Sequence, residues 1–405
     1  MISGKCTVRE IGDIAELADC KLLWNALLAR TAGANFFQSL EWLTVFCRHY
    51  GRDMRLRVLL VSAGGETIGI LPLVETTERT RLGPLRVLTY PLHDWGTFYG
   101  PLGDRPTATL LLGLRHIART RRDWDLLELR WVPDGIDRGR TATALAGVEM
   151  PAQRSSWETA AVIDARQGWT AYLHSRDGRW RRKLRNNERR LLARGGIDYL
   201  RCRPAGTAAG DGDPRWDLYD ACERIAERSW QARSPDGTTL SHPSVRPFLR
   251  DVHQAASAAG AADINLLYLA GEPAAFVYGY CCHGNVFTLR TGYNAAIEDG
   301  GPGSILLGRA IEDSCRRGDQ SIDMGSGSLE YKRFWCTSIE TTSRYTHYPP
   351  TVLRAQAIRW KRALQQRWQR APFNFGSLES TTVPRADAES LAPARRSPSA
   401  TDPDR

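Results

Sequence analysis

The stretch from Asn285 to Trp335 constrains the fold more than any other part of this 405-residue chain. Val286–Tyr293 (VFTLRTGY) is rich in β-branched and aromatic residues and predicts a strand. A loop with Gly300, Gly301, Pro302 and Gly303 follows, after which Ile305, Leu306, Ala310 and Ile311 recur at the spacing of one helix face. Gln320–Met324 predicts a short second strand, and the turn Gly325–Ser328 leads into Tyr331–Lys332. A strand, a glycine loop opening a helix, and a second strand form a unit suited to an anion, because the first N–H groups of a helix lack partners.

The rest of the chain sets limits on what can surround that unit. Its length favours two domains over a single core. A hydrophobic content of 42% and a charged content of 25% are those of a soluble globular protein. The first twenty residues show no signal-peptide pattern, and no window reaches the roughly 18 apolar residues of a membrane span, so a cytoplasmic location is expected. Nine scattered cysteines with no C-x-x-C spacing predict reduced thiols and no metal site. Phosphate-loop, nucleophile-elbow and H-E-x-x-H patterns are missing, and His93–Asp94 is a weak acid–base signal.

The net charge of +10 is concentrated. Between Arg176 and Arg203 eleven basic residues stand against three acidic ones, which points to an anionic partner. Within it, Arg179–Arg194 predicts a long helix on which Arg182, Arg185 and Arg189 share one face, and guanidinium forks match phosphate and carboxylate. Upstream, MRLRVLLVSA and ETIGILPLVE flank Gly64–Gly65 as a hairpin, PTATLLLGLRHIARTRR predicts a helix, and DWDLLELRWV a strand. Downstream, INLLYLAGEPAAFVYGYCCHGNVFTLRTGYN predicts three antiparallel strands. The expected organisation is two α/β units over residues 1–160 and 161–348, a basic helix at 349–370, and a Pro- and Ser-rich disordered tail at 371–405.

The run Tyr293-Asn294, Gly301-Pro302-Gly303-Ser304-Ile305-Leu306-Leu307, Ile322-Asp323-Met324-Gly325-Ser326-Gly327, Glu330-Tyr331-Lys332-Arg333-Phe334-Trp335 resembles acyltransferases of the GNAT superfamily. More narrowly it is similar to the branch grouped with the cellulose-biosynthesis protein CelD, itself akin to the FemABX aminoacyl-transferases. The likeness is strongest over about residues 160–348 and weaker over residues 35–103, where FFQSLEW and HDWGTFYGPLGD carry it. It implies a mixed α/β, α+β-like fold: tandem GNAT-like domains, each a mostly antiparallel central sheet flanked by helices.

The resemblance also implies roles. Acetyl-CoA or another acyl-CoA would be held at Gly300, Gly301, Gly303 and Ser304, without a metal. The familiar Q/R-x-x-G-x-G/A loop is replaced here by one with Glu298 and Asp299 and no arginine. A backbone N–H between Leu289 and Tyr293 would polarise the acyl carbonyl, with Arg290 and Tyr293 toward the cleft. Lys332 would reach an anion, and Asp323 would accept a proton or orient Tyr331 or Lys332. Arg182, Arg185, Arg189 and Trp230 would line the groove for a small-molecule or carrier-linked anionic acceptor. From the residues alone, the glycine cluster is equally a helix-capping turn, Lys332 a solvated lysine, Asp323 a turn aspartate and Trp230 a core residue.

Three functions stay open. The first is an acyl-CoA-dependent N- or O-acyltransferase acting on a sugar, nucleotide-sugar or related anionic precursor, with exopolysaccharide or envelope synthesis implied by resemblance and no stable nucleic acid partner. The second is a transferase that uses aminoacyl-tRNA. The third is a non-catalytic protein that binds an anionic polymer or a synthase.

Overall fold

A computed structural model describes residues 5–370 except 81–82, 93–95, 98, 230–231, 233–238, 298–300 and 328. Trp230, Gly300, Glu298, Asp299, His93–Asp94 and the 371–405 tail therefore lie outside the described residues. By compactness the chain divides into residues 1–359 and residues 360–405. Among the described residues no helix is long and apolar enough to cross a membrane.

Among the described residues twelve strands form a single sheet. They are β1 (Cys6–Ile11), β2 (Met54–Ala63), β3 (Glu66–Thr80), β4 (Gly83–Thr89), β5 (Leu126–Pro133), β6 (Gln153–Asp164), β7 (Ile197–Cys202), β8 (Ala262–Leu269), β9 (Glu272–Cys282), β10 (Asn285–Tyr293), β11 (Ser321–Asp323) and β12 (Ser338–His347). Their order is β1-β2-β3-β4-β5-β12-β6-β11-β10-β9-β8-β7. The mixed α/β, mostly antiparallel architecture expected from the sequence is what the chain adopts. The β2–β3 hairpin turns at Gly64 (φ +62°) and Gly65 (φ +86°), the left-handed pair that matches strand twist.

Two neighbouring pairs are parallel, β4–β5 and β10–β11, and every other pair is antiparallel. Each parallel pair is joined by a crossover helix, Pro106–Arg119 in the first case and Pro302–Arg317 in the second. The sheet thus has two halves of like plan that exchange strands at their junction. β6 follows β5 in the chain yet pairs with β11, and β12 follows β11 yet pairs with β5. β6 and β12 then pair with each other.

Both faces of β2 are covered, which is why it reads as a continuous apolar run from Val58 to Val61. Val58 and Leu60 face a core shared with Trp42, Tyr219 and Phe248, whereas Leu59 faces Leu110 and Leu114 of the first crossover helix. In the other half Leu266 and Tyr278 join the first core, while Leu267 and Val277 pack under Ile305 and Leu306 of the second crossover helix.

The cationic segment is not one solvated strip. Arg201 is buried and paired with Asp263 at 2.6 Å, while also donating to Ser314 at 2.8 Å and the Ala310 carbonyl at 3.1 Å. Arg203 pairs with Asp319 at 2.7 Å and Asp263 at 3.0 Å. Arg176 donates to the carbonyls of Trp335 and Cys336. The count of charges overstated the strip because β7 turns its arginines inward, where three aspartates neutralise them and fix the second crossover helix to the sheet.

Candidate functional site

The site begins where β10 and β11 part. They pair only from Asn285 with Ser321 to Phe287 with Asp323, after which β10 continues to Tyr293 along β9. A bulge falls at Leu289, between the pairs Thr288–Gly279 and Arg290–Tyr278. Gly279 permits it, because a Cβ there would lie 1.9 Å from the Phe287 carbonyl oxygen. Beyond Asp323 the chain follows β6, with the Met324 N–H bonded to the Ala161 carbonyl at 2.9 Å.

Asp323 and Lys332 sit at this parting, both buried. The N–H of Gly325 donates to Asp323 Oδ1 at 2.5 Å, and Oδ2 has no hydrogen bond among the described residues. Burial pushes the Asp323 carboxyl up to about 7, with Glu340 adding to the rise and Lys332 opposing it. Lys332 lies on the short helix Leu329–Lys332 and donates to the carbonyls of Gly325 (2.9 Å) and Ser326 (2.6 Å). An ammonium has three protons, so one remains uncommitted. Burial lowers Lys332 to about 8, Arg290 lowers it further, and Asp323 resists. Tyr331 is hydrogen-bonded to Thr291 of β10 and presents its ring 5.9 Å from the Lys332 ammonium. Two titratable groups held near neutrality in one cleft are an acid–base pair in chemical terms.

The helix Pro302–Arg317 opens beside this cleft. Gly301 is left-handed (φ +54°), and a Cβ on it would meet the Asn187 side-chain amide at 3.0 Å. A Cβ on Gly303 would lie 3.5 Å from the Tyr293 ring. The cradle has fewer free amides than a generic helix start offers. Pro302 has no N–H, and the Ser304 N–H bonds the Gly301 carbonyl at 2.9 Å. The Gly303 N–H and the Ser304 hydroxyl remain.

The arginine-rich helix Gly178–Leu192 lies against the same element. Leu184 approaches Gly308, Leu191 packs with Ile305 and Leu306, and Glu188 pairs with Arg309. Arg182, Arg185 and Arg189 are exposed, as the periodicity required. Arg189 bonds Asn186, whereas Arg182 and Arg185 have no partner among the described residues.

Of the expected residues, Asp323, Lys332, Tyr331 and Arg290 thus come together at the parting of the strands. Tyr293, Gly301, Gly303 and Ser304 adjoin them along β10, and the three arginines stand on the neighbouring helix. Sequence reasoning missed Asn187, Gly279, Thr291 and Glu340. Gly279 had a signal, a lone glycine inside a strand-like run, and the others had none.

Residues 178–333 match the acetyltransferase (GNAT) domain family. This segment spans β7 to β11, the second crossover helix and the Asp323–Lys332 cleft, so the chain carries a GNAT-type acyltransferase domain. No curated protein matches the chain. Among solved structures it is similar in fold to FemX, with 12% identity, 83% of this chain and 96% of that one covered, and a TM-score of 0.55. The C-terminal domain of a putative lysylphosphatidylglycerol synthetase from Agrobacterium fabrum is similar at 10% identity, with 87% and 97% covered and a TM-score of 0.50. So is a conserved protein of unknown function from Bacteroides thetaiotaomicron, at 12% identity, with 85% and 100% covered and a TM-score of 0.50.

Proposed function

We propose that this protein is a cytoplasmic acyltransferase that moves an acyl group from acyl-CoA to an amine or hydroxyl of a sugar, nucleotide-sugar or related precursor. What carries the reading is the parting of β10 from β11 with Asp323 and Lys332 at the gap. Gly303 N–H and the Ser304 hydroxyl fit one of the donor's phosphates, since both stand uncommitted at the start of the second crossover helix. The exposed Arg182, Arg185 and Arg189 stand on the face of their helix turned away from the second crossover helix, where they suit an anionic acceptor.

The nucleophile's lone pair forms a bond to the acyl carbon, and the C–S bond breaks with its pair leaving on the thiolate. The nucleophile's proton passes to Asp323 and on to the thiolate. The uncommitted Lys332 proton and a main-chain N–H near the Leu289 bulge stabilise the charge that develops on the acyl oxygen. Motif likeness to the CelD-like branch supports a place in exopolysaccharide or envelope synthesis. Acetyl-CoA should protect amides 301–308 from hydrogen exchange, and no protection by acetyl-CoA or longer acyl-CoAs would reject the reading.

A second reading, transfer from aminoacyl-tRNA, is favoured by the helix start, where Pro302 and Ser304 withhold two amides from a pyrophosphate. A gel shift with charged tRNA at two salt concentrations separates the two donors.

A further inference from the structure

We propose that the helix Leu353–Arg370 docks this protein onto an anionic lipid surface, with an apolar stripe against the acyl boundary and its cations among the headgroups. Such docking is independent of the transferase chemistry proposed above. The helix follows β12 and lies outside residues 178–333, which match the acyltransferase family.

One face of its first turns packs on the sheet. Ala355 and Ile358, with Val352 just before the helix, meet Leu85, Val87, Leu126 and Tyr348. Arg354 donates to the Pro84 carbonyl at 3.1 Å, and Gln356 to the carbonyls of Tyr348 and Pro349 at 3.2 and 3.0 Å. The start of the helix is thereby tethered, and its opposite face is left to solvent.

That outer face is apolar. Leu353, Ala357, Trp360 and Leu364 step by four, three and four residues, so they form one row along the helix. All four are exposed, Leu353 by 85%, Trp360 by 71% and Leu364 by 54%. With Leu22, Leu353 and Trp360 are the most exposed large hydrophobic side chains among the described residues. Single exposed apolar side chains are ordinary, whereas several large ones aligned on one helix mark an interaction face.

Charge selects the occupant. Leu353–Arg370 holds six basic residues and no acidic one, and the exposed Arg354 and Lys361 flank the apolar row. Five arginines against Glu10 and Asp123 line a neighbouring hollow, and one of them, Arg122, donates to the Thr351 hydroxyl at 2.7 Å just before the helix. A second copy docked across a two-fold axis would set these cations against their equals. A nucleic acid would meet the cations but offer Leu353 and Leu364 no apolar partner. An anionic bilayer satisfies both, since its headgroups attract the cations while Trp360 and the leucines enter the acyl boundary. Eighteen residues with six cations lie on such a surface and do not span it.

The test sediments the full chain with vesicles of phosphatidylcholine alone and of an equimolar phosphatidylcholine–phosphatidylglycerol mixture, at low and high salt. We expect binding to the mixture at least about tenfold tighter than to phosphatidylcholine, and weaker as salt rises. Trp360→Gln with Leu364→Gln should weaken it about tenfold, and Arg359→Gln with Lys361→Gln by a similar factor. Both pairs change exposed side chains to a residue that suits a helix, so the wild-type Tm should be kept. Arg182→Gln with Arg185→Gln, on the other arginine-rich helix, should leave vesicle binding unchanged. No sedimentation with the mixture, equal sedimentation with both vesicles, or binding indifferent to Trp360→Gln with Leu364→Gln would overturn the proposal. So would a concentration-dependent dimer in analytical ultracentrifugation that the same pair of changes dissolves, because the stripe would then belong to a second copy.

Discussion

Asp323 and Lys332 hold the same turn from opposite ends. The carboxylate accepts the Gly325 N–H at 2.5 Å, and the ammonium donates to the Gly325 carbonyl at 2.9 Å. A tight turn at Gly325 (φ +74°) is thereby fixed by the two groups that the chemistry needs. Positioning and proton transfer therefore cannot be varied independently.

Replacing Lys332 should reveal that coupling. Lys332→Ala leaves the half-buried Gly325 and Ser326 carbonyls without the lysine as donor, a loss of about 1 kcal/mol for each. Turnover should drop on the order of a hundredfold, the scale of losing one oxyanion donor. Lys332→Arg should recover stability more than activity. Chemical denaturation beside steady-state kinetics measures both, and unchanged turnover in Lys332→Ala would remove the lysine from the mechanism.

The pH profile follows from the two shifts. Asp323, raised by burial to about 7, must be ionised to take a proton, so kcat/KM should climb through about pH 7. It should fall above about pH 8 as Lys332 loses its charge. Asp323→Asn should abolish the rising limb. The stability sign is equally defined: a carboxyl whose folded value is raised favours folding at low pH, and this contribution is lost as pH rises through about 7. The Tm of Asp323→Asn should accordingly vary less with pH across that window.

Gly279→Ala should be among the most damaging single-methyl changes in the chain. The added carbon would meet the Phe287 carbonyl oxygen at 1.9 Å, against backbone that cannot swing aside. Several kcal/mol of destabilisation is expected, about the upper end for point mutations, with loss of the Leu289 bulge. Urea unfolding checks the first, and amide exchange along β10 checks the second.

Arg201→Met tests how the crossover helix is held. Removing the guanidinium leaves Asp263 buried with Arg203 as its remaining cation and the Asn265 amide as its other donor, a cost of about 3–5 kcal/mol. Arg201→Met combined with Asp263→Leu should recover much of it. By contrast Arg182→Gln with Arg185→Gln should change stability by less than about 0.5 kcal/mol while weakening binding of an anionic acceptor and its salt dependence.

Much of the scaffold was legible because its signals are local. Gly64–Gly65 specified a hairpin, the apolar stripe from Ile305 specified the crossover helix, and both appear where expected. The motif near Tyr331 pointed to Lys332, but its inward direction was not readable, since nothing in the sequence records which carbonyls a lysine finds. The arginine count misled for a related reason. Arg201 and Arg185 are identical as letters, yet one faces three aspartates distant in sequence and the other faces solvent. The pairing of β12 with β5 likewise depends on contacts some two hundred residues apart, which no periodicity encodes.

The strand exchange bears on how the molecule is made. As the ribosome releases the chain, the first five strands emerge with a vacant slot that only the segment from Ser338 can occupy. Synthesis must pass His347 before either half can close, so molecules interrupted earlier would expose an open ladder at the centre of the sheet.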